Sequence, residues 1–315
     1  MVCLFATFWW SVACLLSVTG PYTVHEFRYA SPGSIKELLS LLADSRGLAR
    51  ILAGGTDLIV QMRSGAVTPD LVIDVKRIPE FNALSRTTEG LTIGAAVSCR
   101  AIYEDEVVAS TYPALIDSAT LIGGVQIQGR ASIGGNLCNA SPSADSIPTL
   151  IVLDASAGIQ RAGGARELRV EDFCTGPGTN VLAEDEVLVS LKIPARQRNS
   201  GAQFLRFTPR NEMDIAVANA AASVVLSDDG KHFASARIAI GAVGPTPLLV
   251  QEAADFLQGK SVSEESIVAA AEIARSAASP IDDMRGSVAQ RKHLVRVLVT
   301  RTLRGAIERA RGNDQ

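Results

Sequence analysis

Histidine and cysteine are scarce in this chain, and neither is grouped. His25, His232 and His293 stand far apart, and Cys3, Cys14, Cys99, Cys138 and Cys174 include no C-x-x-C pair. Zinc and iron–sulfur sites need several such ligands at short spacing, so none is expected within this chain. The odd cysteine number fits reduced, mostly buried thiols in a cytosolic protein. Neither charge sign dominates: 30 Lys plus Arg against 33 Asp plus Glu leave a net charge of −3. A protein whose main task is nucleic-acid binding carries a basic excess, and aromatics at only 5% leave little for base stacking. The histidines also lie far in sequence from the many serines, so no nucleophile–base pair of a hydrolase stands out.

What is present is apolar bulk. Hydrophobic residues make up 47% of 315 positions and charged ones 20%, enough to bury a sizeable core in two or three subdomains. The first twenty residues, MVCLFATFWWSVACLLSVTG, contain no charge. They lack the basic n-region of a signal peptide and are near the lower length limit for a bilayer span. Three readings stay open: translated upstream DNA, a membrane anchor, or a cleaved signal. Globular patterning starts at Val24, and valine can be encoded by the alternative start codon GTG. Residues 1–23 are therefore expected to be a dispensable extension. Residues 24–315 are expected to need no membrane, and the protein to be cytoplasmic.

Periodicity predicts a helix over 35–44, opened by the capping-box pattern Ser34-Ile35-Lys36-Glu37. Short strands are expected at 49–52, 71–75 and 91–98, and helices at 102–108 and 113–120. The alternating run EVLVSLKI at 186–193 reads as a strand ended by Pro194. Beyond a polar linker at 196–201, three strands are expected at 203–207, 215–226 and 236–243, with Asp228-Asp229-Gly230 as a hairpin turn. Helices then follow at 248–257, 264–277 and 287–309. That order makes an α+β plan with segregated elements.

Two glycine-rich segments could carry chemistry. Ala53, Gly54, Gly55, Thr56, Asp57 and Leu58 lie between a strand and a helix start. Residues without Cβ let the backbone approach a ligand, and successive N–H groups at such a turn form an anion nest. No Gly-Lys-Ser/Thr follows, and the pattern is not G-x-G-x-x-G. An ordinary tight turn is the bland alternative. Ser132, Ile133, Gly134, Gly135 and Asn136 make a second Gly-Gly turn, continued by LCNASPSAD to Asp145. Polar groups this dense among apolar segments need partners. A hydroxyl-rich ligand or the loop's own backbone would supply them.

Taken together, AGGTDL at 53–58, SIGGN at 132–136 and SPSAD at 141–145 resemble the FAD-binding medium subunit of molybdenum hydroxylases, the group of carbon monoxide dehydrogenase and xanthine dehydrogenase. The resemblance continues through PRNEMDIA at 209–216, IAIGAVGPTPL at 238–248 and DDMRGSVAQRKHLVRVLVTRTL at 282–303, and covers roughly 24 to 310. It implies a two-subdomain FAD-binding domain of the vanillyl-alcohol-oxidase (PCMH) type over 24–200. A C-terminal domain over 203–312, with a three-stranded antiparallel sheet and a helix bundle, is expected to follow.

The resemblance also implies roles. Ala53–Leu58 would cradle the FAD pyrophosphate, and Ser132–Asn136 would close on it from the other side. Asn139 would lie near the phosphates or ribityl chain, and Asp145 would accept hydrogen bonds from FAD hydroxyls. Ile122 matches the position that packs on the isoalloxazine, where some relatives carry an aromatic. Leu188 matches an apolar residue near the adenine, and Arg206 a basic position near the adenosine half. Only Cys138 among His and Cys stands beside a glycine turn, so FAD is expected to be non-covalent.

The resemblance further implies that molybdenum cofactor and [2Fe-2S] clusters are found only in partners; the inserted cysteine-containing loop that holds an extra iron–sulfur cluster in another branch of the family is lacking here. Those partners would be a molybdopterin-binding large subunit and a [2Fe-2S] small subunit, in a dimer of heterotrimers. Two rivals remain: a stand-alone FAD-dependent oxidase or reductase of the same fold, and an assembly subunit that has lost FAD. The basic run from Arg285 to Arg311 is either a solvated helix face or a subunit-docking surface.

Overall fold

The computed structural model describes residues 24–211 and 213–312; the apolar run at 1–23 lies outside the described residues. The chain first builds a small parallel layer from β1 (Arg28–Ala30), β2 (Ala49–Leu52) and β3 (Leu71–Asp74), paired in the order β1-β3-β2. Parallel pairing demands crossovers, which α1 (Ile35–Ser45) and α2 (Leu58–Arg63) supply. The Ser34 hydroxyl accepts from the Glu37 N–H at 3.3 Å, and the Glu37 carboxylate accepts from the Gly33 N–H at 2.9 Å. This reciprocal cap fixes the start of α1, and Leu38 and Leu42, one turn apart, enter the core.

A short helix, α3 (Pro79–Asn82), leads into an antiparallel sheet that begins with β4 (Leu84–Thr87) and β5 (Gly90–Gly94). The strand expected over 91–98 stops at Gly94, because a turn closes there with the Val97 N–H on the Gly94 carbonyl. The helix expected over 102–108 is two helices, α4 (Cys99–Tyr103) and α5 (Glu106–Thr111). Asp105 caps the second, its carboxylate accepting from the Val108 N–H at 2.9 Å. Then come α6 (Pro113–Ala119), α7 (Val125–Gln128), α8 (Ile133–Asn139) and α9 (Ser146–Val152). The sheet is completed by β6 (Ser156–Arg161) and β7 (Gly164–Arg169). After a separate hairpin of β8 (Cys174–Gly176) and β9 (Thr179–Asn180), β10 (Val187–Pro194) returns to its centre, giving the order β4-β5-β10-β6-β7.

The C-terminal part is a four-stranded antiparallel sheet: β11 (Ser200–Phe207), β12 (Ala218–Leu226), β13 (Phe233–Gly241) and the two-residue β14 (Leu248–Leu249). This last strand adds to the three expected, and it delays the next helix, α10 (Gln251–Leu257), to Gln251. Helices α11 (Glu264–Ala277) and α12 (Val288–Gly312) cover one face.

The two parts are tied through α9, all seven of whose residues are buried. A buried helix end leaves carbonyls that must find donors. Arg237 on β13 donates to the Ile151 carbonyl at 2.9 Å, and Ser223 on β12 to that of Val152 at 2.7 Å. From the last turn of α12, Arg309 reaches Asp117 on α6 at 2.6 Å.

Two members of the basic run on α12, Arg291 and Arg309, are thus turned inward. Arg291 is buried against the Val217 and Ala242 carbonyls and Asp283, and Arg304 pairs with Glu264. Arg296, Arg301, Arg304 and Arg311 remain exposed. Among the described residues, no helix is long and apolar enough to cross a membrane.

Candidate functional site

The end of β2 and the end of β3 lie side by side, with Leu52 opposite Asp74. The crevice beyond the carboxyl ends of parallel strands is where open α/β sheets place ligands. Here it receives the loop Ala53–Asp57. Gly55 has φ of +80°, a left-handed turn that an L side chain would strain. The N–H groups of Gly54, Gly55, Thr56 and Asp57 have no hydrogen-bond partner among the described residues. This is a row of open donors at the start of α2, suited to an anion.

The second segment is not a turn, as its sequence suggested, but the opening of α8. Ser132 caps it, with its hydroxyl accepting from the Gly135 N–H at 3.1 Å. Glycine is needed here for closeness rather than for positive φ. A Cβ on Gly134 would stand 2.5 Å from the Ala95 carbonyl oxygen. The first loop also packs against the chain that leads into α8: a Cβ on Gly54 would stand 2.0 Å from the Arg130 carbonyl oxygen. Gln61 on α2 donates to the Asn139 side chain on α8 at 2.9 Å, closing the contact.

Between them lies a cleft of about 540 Å³. It is lined by Ala53, Gly54, Gly55, Thr56, Asp57, Leu58, Ile122, Ser132, Gly134, Gly135, Asn136, Asn139 and Leu188. Its floor is apolar, with Val75, Phe81 and Ala95. Of the residues singled out in the sequence, Ile133, Asp145 and Arg206 do not line it. Ile133 is fully buried in the core, as the apolar residue of the first turn of α8.

Asp145 and Arg206 instead pair with each other at 2.5 Å, both nearly inaccessible. Burial pushes the Asp145 carboxyl up to about 6, against the pull of Arg206. Among the described residues, no donor lies within hydrogen-bond distance of Asp145 Oδ1 or of Oδ1 of the neighbouring Asn219. Two buried acceptors without donors cost free energy unless something supplies hydrogens.

The lining also holds residues that the motifs did not indicate. Gln61 follows Asp57 by one helical turn, a local signal that was available. Asn180, whose amide donates to the Cys138 carbonyl at 2.8 Å, and Glu186 come from β9 and the approach to β10, with no signal near the glycines. The Arg166 guanidinium holds the Glu186 carboxyl down to about 2. Asp57, at the mouth of the cleft, has its carboxyl raised by the protein mass around it. Cys138 lines the cleft, yet burial and then the neighbouring Cys174 push its thiol up to about 12, so it is neutral and a poor nucleophile near neutral pH.

Comparison with known proteins adds independent observations. The family described as "FAD binding domain in molybdopterin dehydrogenase" matches residues 25–196, and "CO dehydrogenase flavoprotein C-terminal domain" matches residues 203–306. A putative xanthine dehydrogenase FAD-binding subunit of Escherichia coli is 30% identical over 289 residues, covering 91% of this chain and 98% of that one. Among solved structures, carbon monoxide dehydrogenase from Hydrogenophaga pseudoflava is similar with a TM-score of 0.87 and 28% identity, over 91% of this chain and 99% of that one. Quinoline 2-oxidoreductase from Pseudomonas putida is similar with a TM-score of 0.85 and 30% identity, over the same shares.

Proposed function

The chain belongs to the family of FAD-binding domains of molybdopterin dehydrogenases, and from that premise we propose that it holds one FAD, without a covalent bond, in the cleft between the Ala53–Asp57 loop and α8. The observation that carries this reading is the row of open N–H groups at Gly54–Asp57, in a loop that Gly54 brings into backbone contact with Arg130, just before α8. Such a cradle suits a diphosphate. The apolar floor and Ile122 suit a flat ring, and Leu188 an adenine. Arg206 and Asp145, with their orphaned neighbour Asn219, suit a hydroxyl- or N–H-bearing part of the ligand that reaches past the lining. No histidine lines the cleft, and the Cys138 thiol is neutral, which supports non-covalent binding.

Flavin, when bound, can take electrons one at a time and release them in pairs. The protein's own contribution is to position and tune it. The role that follows is that of an electron-transfer subunit between [2Fe-2S] clusters on a small subunit and an external acceptor. Substrate would be hydroxylated on a molybdopterin-binding large subunit, within a dimer of heterotrimers. Relatives named as a medium chain of carbon monoxide dehydrogenase and as a subunit of a 6-hydroxypseudooxynicotine dehydrogenase complex support its being one subunit of several. Affinity purification of the tagged chain from its host tests it. Two co-purifying chains with stoichiometric iron and molybdenum are expected. A flavin-loaded chain isolated alone would favour a stand-alone oxidase or reductase.

A further inference from the structure

The carbonyl of Ala53, the last residue before the glycine pair, is held from behind. Lys76 Nζ donates to it at 3.1 Å and at the same time contacts Asp74 Oδ1 at 2.7 Å. Asp74 is itself fixed: it is buried at the end of β3, its Oδ1 also accepts from the Lys76 N–H at 2.9 Å, and its Oδ2 accepts from the Tyr29 hydroxyl at 2.8 Å. The Asn82 side chain holds the Lys76 carbonyl at 2.9 Å. Lys76 lines a separate depression and is not part of the cleft wall.

In a planar trans peptide, C=O and N–H point in opposite directions. Pinning the Ala53 oxygen on the side away from the cleft therefore turns the Gly54 N–H towards it. That N–H is the first of the four unpartnered donors. With glycine on its C-terminal side and a second glycine beyond, this peptide plane is less constrained than one between residues with side chains, unless something outside the loop fixes it. We propose that Lys76, anchored by Asp74 and Tyr29, is a positioning residue of the cofactor site. It sets the orientation of the Ala53–Gly54 peptide and so pre-organises the donor row before any ligand arrives. The inference rests on the cleft being a dinucleotide site and adds a residue that does not itself touch the ligand.

The test is an FAD titration of the flavin-free full-length chain, followed by quenching of flavin fluorescence, beside its thermal midpoint. Lys76→Met keeps the aliphatic stem and removes the donor. It is expected to weaken FAD about tenfold, as for one lost hydrogen bond to a charged group. Lys76→Arg, which can still donate to the Ala53 carbonyl, is expected to recover most of that loss. A merely structural role would lower the midpoint without this rescue pattern. Unchanged affinity in Lys76→Met, or equal weakening in Lys76→Arg at a wild-type midpoint, overturns the proposal. If Lys76→Met does not fold, Tyr29→Phe decides. It removes one anchor of Asp74 and is expected to weaken FAD by about two- to threefold, and wild-type affinity there overturns the proposal. A wild-type chain that fails to bind FAD would remove the cofactor reading itself, and this inference with it.

Discussion

A methyl group at Gly135 would meet only the Ser132 hydroxyl, at 2.9 Å, whereas one at Gly134 would strike the Ala95 backbone. The two neighbours therefore make different predictions. Gly135→Val should leave the fold within about 1 kcal/mol of wild type, since valine is tolerated in a first helical turn. It should lower FAD affinity by roughly a hundredfold, because the branched side chain occupies the approach to the donors. Flavin content after gel filtration, with a circular dichroism melt, checks both halves. Gly134→Ala should instead cost about 1–3 kcal/mol of stability through overpacking, with or without FAD. Gly55 is not the counterpart of Gly135, because its φ of +80° makes any side chain there a folding problem first.

Asp145 gives a prediction in pH. Its folded-state value, about 6, lies above the ordinary 3.8, so as pH rises the unfolded chain gives up this proton first. Wild type should lose stability relative to Asp145→Asn between these two values, by ~3 kcal/mol at most, and the difference should be level above and below. Urea midpoints of the flavin-free chain across that range measure it. A difference that does not vary with pH would show that Asp145 is not held up by burial.

At the scale of elements, α12 works as a clamp through Arg291 and Arg309, while its other arginines form a solvated basic face. Arg309 donates to Asp117 and to the Ala202 carbonyl, joining the last helix to α6 and to β11. Arg309→Ala should cost about 1–3 kcal/mol, the range for hydrogen bonds to a partly buried charged group. A urea midpoint within error of wild type would count against the clamp. The same element shows what the sequence could and could not disclose. The apolar spacing of Glu264–Ala277 and the cap at Ser34 are local patterns, and the structure has α11 and α1 where those patterns place them. The inward turn of Arg291 and Arg309 depends on carbonyls 74 and 107 positions away, and no window of sequence contains that. The glycine segments were legible for the same local reason. The Asp145–Arg206 pair, 61 positions apart, and the Lys76 contact to Ala53 were not. Gly-Gly reads equally as a turn or as a close approach inside a helix, and only packing against Ala95 decides for the latter in α8.

At the scale of the whole molecule, the five-stranded sheet and the parallel layer meet over one cleft, and the C-terminal sheet closes the other side of α9. The chain thereby presents a frame around a single proposed cofactor, while on the proposed function the metals of the reaction would be carried by other chains. That division rests on the cofactor being present, singly and without a covalent bond. The most direct measurement is the absorption spectrum of the purified full-length chain, before and after acid precipitation. One FAD per chain, released entirely into the supernatant, is the predicted result. A chain without flavin after incubation with FAD, or a pellet that keeps its yellow colour, would contradict the account.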